Sequence, residues 1–126
     1  MAMRVGIDLV SVDSVQKAIQ LHAEHYLERV YTKDELHDCQ TSQGVDPLRL
    51  AARFAAKEAT LKVLRPADEA VPWNSIEVFR DPAGWVELKL SGSAAALAAA
   101  SGLSDFSLSI THEDRFASAV VIATYT

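Results

Sequence analysis

The sequence predicts an α+β fold in which a mostly antiparallel sheet packs against one long buried helix. Three observations carry this reading. The chain opens with a strand-like alternation from Met3 to Val10, where Val5, Ile7 and Leu9 fall on one side. A long alanine-rich helical pattern begins at Asp46-Pro47 and is stopped by Pro66. After it come two strand pairs with turn residues between them, which suits antiparallel pairing at the C-terminal end.

Taken in order, the first strand is expected to bury its Val5, Ile7 and Leu9 face. A helix follows from about Ser14 to Val30, with Val15, Ile19, His22, Tyr26 and Val30 on one stripe. Thr32 is a good N-cap for a short helix carrying Glu35, Leu36 and Cys39. Gln40 to Val45 reads as a polar loop. In the central helix Asp46 serves as cap and Pro47 as first helical residue, and the helix runs to about Arg65. Pro66 to Pro72 is a loop. Strands are expected from Ile76 to Phe79 and from Trp85 to Leu90, joined by Asp81-Pro82-Ala83-Gly84. An alanine-rich helix from Ser93 to Ala100 ends near Gly102. Two strands, Phe106 to Thr111 and Phe116 to Tyr125, then close the chain around Glu113-Asp114.

Bulk properties narrow the function. The 126 residues suit a single domain, 1–126, with no internal repeat or linker. A hydrophobic share of 49% and a charged share of 23% are those of a globular chain rather than a disordered one. The net charge of -5 argues against a general nucleic-acid binder. The lone Cys39 allows no internal disulfide, and Met1-Ala2-Met3-Arg4 leads straight into a strand without a signal core, so a cytoplasmic protein is expected. The longest low-polarity run, Ala94 to Ala100, is too short to span a bilayer.

The chemistry-bearing candidates are few. Asp8 interrupts a strand of Val, Ile, Leu and Gly; it faces solvent or serves as a rigidly held ligand for a hard cation. The central helix carries Leu50, Phe54, Leu61 and Leu64 on one face, yet also holds Arg53, Lys57, Glu58 and Lys62. Lys57 falls within the apolar stripe. Glu58 and Lys62, four apart, form either a helix-stabilising pair or part of a site where a carboxylate meets a metal and ammonium groups meet a diphosphate. His112 ends a strand and reads equally as a packed or turn residue. His22 and His25 lack a third partner for zinc, Cys39 has no nucleophile motif around it, and neither common glycine-rich phosphate loop is present.

Two segments resemble the holo-acyl-carrier-protein synthases, the small class of 4'-phosphopantetheinyl transferases. Val5-Gly6-Ile7-Asp8-Leu9-Val10 is similar to their opening strand, and Arg53-Phe54-Ala55-Ala56-Lys57-Glu58-Ala59-Thr60-Leu61-Lys62 to their central helix motif. Arg29 to Leu36, Trp73 to Val78, and Leu108 to Glu113 with Ala117 to Ile122 extend the likeness over nearly the whole chain. The resemblance implies the phosphopantetheinyl transferase fold. It also implies transfer of 4'-phosphopantetheine from coenzyme A to a serine of an apo acyl carrier protein, with release of 3',5'-ADP. It makes Asp8 and Glu58 the ligands of Mg2+, with Asp8, Glu58 and Lys62 as the catalytic set. Lys62, Lys57, Arg53 and His112 become coenzyme-binding residues, in a homotrimer with sites between subunits.

The sequence departs from the family pattern in two places. Ser14 stands where a basic residue usually meets the carrier, with Lys17 three residues on, and Arg65-Pro66-Ala67-Asp68 replaces the glycines that usually follow the central helix. Lys17, Arg29 and Lys33 are the expected carrier-docking cations. The competing reading is a non-catalytic coenzyme A or nucleotide-binding oligomeric module.

Overall fold

The computed structural model describes residues 1–125. A three-stranded antiparallel sheet is built in the order β1-β7-β6 from β1 (Ala2–Ser11), β7 (Phe116–Tyr125) and β6 (Leu103–His112). Helix α3 (Pro47–Leu64) lies across one face of β1 and β7. Around this centre are α1 (Val12–Val30), α2 (Lys33–Asp38), a two-stranded ribbon of β2 (Gln40–Thr41) and β3 (Gly44–Val45), a second hairpin of β4 (Ile76–Arg80) and β5 (Val86–Leu90), and α4 (Gly92–Ala100). The α+β class, the antiparallel sheet and the long buried helix all match expectation.

α3 is buried because its surface is small. Ala51, Ala55, Ala56 and Ala59 are fully covered, and they meet Ala117, Ala119, Val121 and Ala123 of the sheet. The closest approach is at Gly6, where an added Cβ would stand 2.1 Å from the backbone oxygen of Ala59. A side chain at that position would push the helix off the strand. The helix starts as expected, with the Asp46 carboxylate accepting from the Leu48 amide and Pro47 in the first turn.

That close packing reverses one expectation. Val5, Ile7 and Leu9 are 62%, 60% and 66% exposed, whereas Gly6 and Val10 are buried against α3. Alternation correctly identified two faces but assigned the inside to the bulky one. A helix of alanines fits against glycine rather than isoleucine, so the small-residue face turned inward. Met3, Val5, Ile7 and Leu9 then form an apolar strip with Ile122 and Phe116 on the outer side of the sheet.

Smaller differences follow from local backbone. Gln40 to Val45, expected as a loop, pairs as β2 and β3 around Ser42-Gln43. α1 is interrupted at Ala23 (φ 46°, ψ -126°), so the predicted stripe loses phase and His22 is exposed. Thr32 caps α2 through a full capping box with Glu35. No helix among the described residues is long and apolar enough to cross a membrane.

Candidate active site

Asp8 and Glu58 come together through the contact at Gly6. The register that turns Gly6 toward α3 turns Asp8 the same way, two residues along β1. Its backbone oxygen is held by the Ser118 hydroxyl at 2.8 Å, which ties the strand to β7 at this point. Lys62 reaches back from α3 to donate to the Ile7 carbonyl at 2.7 Å, and its Nζ stands 3.4 Å from Asp8 Oδ1.

Glu58 is one turn before Lys62 and half-buried. Burial pushes its carboxyl above the usual range, and the Asp8 carboxylate pushes it further, with Lys62 opposing. Two carboxylates therefore share one partly desolvated place with a single lysine. The Lys62 contact is half-exposed and contributes at most about 1 kcal/mol.

This arrangement fits a divalent cation. Among the described residues no third His, Cys, Asp or Glu completes a cluster of possible ligands, so a bound ion would keep open positions. One or two protein carboxylates, completed by water and substrate phosphates, is the usual donor set for Mg2+. Asp8 and Glu58 would be its protein ligands.

Lys57 requires a correction. It was expected to contact a coenzyme, but it is fully buried on the other side of α3. Its Nζ pairs with Glu35 Oε1 at 2.7 Å and donates to the carbonyls of Trp73 (3.0 Å) and Ile76. Glu35 accepts from the amides of Thr32 and Val78, both at 2.9 Å. Every charge-bearing atom in this pair is engaged with protein, which leaves no capacity for a ligand. Burial lowers the Lys57 pKa, with the Glu35 carboxylate opposing. The pair joins α2, α3, the 3-10 turn Trp73–Ser75 and β4 in one clamp. Glu35 is the residue that sequence reasoning passed over. Thr32-x-x-Glu35 signals a capping box, but nothing local reveals that the same carboxylate spans to Lys57.

Arg53 and His112 lie elsewhere on the chain. They line a pocket of about 270 Å³ together with Arg49, Arg80 and Trp85. Arg53 is 3% exposed; its guanidinium is 3.6 Å from Asp38, and its buried Nε has no hydrogen-bond partner among the described residues. Three arginines, a histidine and an exposed indole are groups of the kind that could hold a phosphate-bearing aromatic ligand. His112 is on β6 and Asp8 on β1, the two outer strands of the sheet, while Arg53 and Glu58, five apart, leave α3 on different sides. Arg49 and Arg53, at i and i+4, were the available signal for this pocket; Trp85 and Arg80 had none.

The remaining candidates carry no site chemistry. His22 and His25 are exposed on α1. Cys39 is fully buried and its thiol is pushed up to about 11, chiefly by burial, so it is a poor nucleophile. Lys17 on α1 pairs with Asp13 at 3.0 Å, which offsets one of the three cations of the expected docking face. Arg29 and Lys33 stand near Asn74 at the mouths of two shallow hollows.

Comparison with known proteins adds a consistent picture. A family profile described as the 4'-phosphopantetheinyl transferase superfamily matches residues 4–121. The chain is 37% identical over 123 residues to the holo-[acyl-carrier-protein] synthase of Koribacter versatilis, covering 97% of this chain and 98% of that one. It is 39% identical over 130 residues to the same-named protein of Chloroflexus aurantiacus, at 94% and 95% coverage. Among solved structures, the Chronobacterium ammoniagenes ACPS-CoA complex superposes with a TM-score of 0.87 at 32% identity, covering 100% of this chain and 99% of that one. The Helicobacter pylori holo-[acyl-carrier-protein] synthase in complex with coenzyme A superposes at 0.82 and 26% identity, with 96% and 100% coverage.

Proposed function

Since the chain belongs to the 4'-phosphopantetheinyl transferase superfamily, we propose that it transfers 4'-phosphopantetheine from coenzyme A to a serine of an apo acyl carrier protein. The observation that carries the reading is the carboxylate pair Asp8 and Glu58, brought together beside Lys62, with burial and the Asp8 charge raising the Glu58 carboxyl despite that lysine. A divalent cation and a diphosphate satisfy that set; a helix-stabilising ion pair does not need the second carboxylate.

Mg2+ held by Asp8 and Glu58 would supply neutralisation and polarisation of the diphosphate oxygens. Lys62, fixed by the Ile7 carbonyl, places a second positive group where charge develops. The carrier serine oxygen forms a bond to the phosphorus next to pantetheine as the bond to 3',5'-ADP breaks. The serine proton passes to Glu58 or to a water beside it.

The same reading extends to assembly. The outer strip of Met3, Val5, Ile7, Leu9, Phe116 and Ile122 is an apolar face of the kind that subunit contacts cover. A homotrimer that buries it would let the Arg53–His112 pocket of one protomer serve the Asp8–Glu58–Lys62 set of its neighbour. Residues 1–126 act as one domain, in the cytoplasm.

The reaction is tested by mass spectrometry of apo carrier proteins incubated with the chain, coenzyme A and Mg2+. The expected product carries one phosphopantetheine on serine, with 3',5'-ADP formed in equal amount. No adduct on any carrier, with the chain folded and coenzyme A intact, would refute the proposal.

A further inference from the structure

α2 meets α3 through two ion pairs of opposite character. Glu35 and Asp38 are three apart on α2, and Lys57 and Arg53 are four apart on α3. Glu35 and Lys57 close to 2.7 Å, are fully covered, and each is further hydrogen-bonded. Asp38 stands 3.6 Å from Arg53 Nη2, beyond hydrogen-bonding reach, and its side chain is 38% exposed.

Arg53 is the poorly supplied member of the two pairs. It is nearly fully buried, its Nε has no partner, and the long contact to Asp38 is its one ion pair among the described residues. A buried cation in that state is costly unless something from outside completes it. Its neighbours in the pocket are better served. Arg80 Nη1 donates to the Gly84 carbonyl at 3.0 Å. Arg49 donates to the Asp38 carbonyl at 3.3 Å and faces Asp46 at 3.6 Å.

A purely structural account makes Asp38–Arg53 a second clamp between the helices. The Glu35–Lys57 pair, one turn along α3, already does that with closer geometry, and packing holds a side chain as covered as Arg53. Without a hydrogen bond the Asp38 carboxylate does not orient the guanidinium; it acts by charge. A phosphate entering the pocket of about 270 Å³ meets that charge as a rival for the same cation.

We infer that the Asp38 carboxylate is a built-in counter-ion that competes with ligand phosphate for Arg53 and weakens the pocket's hold on donor and product alike. This rests on the transferase reading and deepens it. Coenzyme A and 3',5'-ADP share their nucleotide phosphates, so a pocket that grips one grips the other, and tight binding of both gains no rate. Asp38 acts through Arg53 and touches no reacting atom.

The test compares the parent with Asp38→Asn, Asp38→Ser and Asp38→Glu. The first two remove the charge at an exposed position and leave the Arg49 bond, which is made to the backbone carbonyl. Measured quantities are the Kd of 3',5'-ADP and of coenzyme A by calorimetry at low and high salt, KM for coenzyme A and for carrier separately, and Tm with and without 3',5'-ADP. Removing one partly exposed opposing charge predicts both Kd values and the coenzyme KM lowered about five-fold in the Asn and Ser variants. The gain should shrink in about 0.5 M salt, the carrier KM should not move, and Asp38→Glu should stay near the parent. Tm without ligand should fall, and the rise given by 3',5'-ADP should grow. Unchanged binding of 3',5'-ADP in the Asn and Ser variants overturns the inference, and weaker binding overturns it by making Asp38 an orienting clamp. A parent that binds 3',5'-ADP without transferring sinks the transferase reading alone; a parent that binds neither ligand sinks both.

Discussion

α3 carries two groups of charge only a few residues apart, and they are treated in opposite ways. Around Lys57 every partner is supplied: Glu35, two carbonyls and two amides close a dry, fully buried knot. Around Glu58 the supply is short, with a second carboxylate close by and one half-exposed lysine to answer both. Charges satisfied by the protein hold it together. Charges left with the wrong sign beside them wait for something from outside. Adjacent residues, 57 and 58, thus divide architecture from chemistry.

The first way to break this contrast is to remove half of the knot. Lys57→Met leaves the Glu35 carboxylate buried without its counter-ion, and about 3–5 kcal/mol of stability should be lost in urea unfolding. Replacing both partners, with Glu35→Leu added, should recover much of that loss. A single variant as stable as the parent would mean that the pair is not an anchor.

Glu58→Gln should do the reverse. Transfer is expected to fall by at least about a hundred-fold, the lower end for losing a positioned acid–base group. Tm without metal should hold or rise, because the amide needs no charge to be desolvated beside Asp8. The rise in Tm that Mg2+ gives the parent should disappear. Normal turnover would remove Glu58 from the site; a severe stability loss would place it with Lys57.

The smallest effect is the most direct. Asp8→Asn takes away the like charge, so the Glu58 carboxyl should titrate at a lower pH, seen by carbon-13 carboxyl shifts without metal. In the parent, the raised Glu58 pKa means that the folded state holds this proton more tightly than the unfolded chain does. Its contribution to stability is therefore fullest below the ordinary glutamate range and is lost as pH rises through the folded pKa. An unmoved Glu58 in the variant would show that burial alone perturbs it.

Much of this was legible in the sequence, for identifiable reasons. Asp46-Pro47 and Pro66 bracket α3 because caps and prolines act locally. The last two strands and the hairpin of β4 and β5 announced themselves through alternation and turn residues. Lys57 was misjudged as a ligand contact because its partner lies 22 residues earlier, on another helix, and no spacing rule connects them. The inward face of β1 was misjudged because hydrophobicity ranks isoleucine above glycine, while packing against alanine ranks them the other way. Asp8, Glu58 and Lys62 could be named from residue type and spacing, but their proximity is a product of the strand–helix contact.

That contact rests on an atom that is not there. With no Cβ at Gly6 and the Ala59 carbonyl already against the strand, the gap between the two layers has no slack to tune. The separation of the two carboxylates is set by bare main chain on one side and a helix turn on the other, so it behaves as a fixed gauge rather than a hinge. On the proposed transferase reading, variation that alters preference among metals or donors would come from the groups at the rim, leaving the gauge itself untouched.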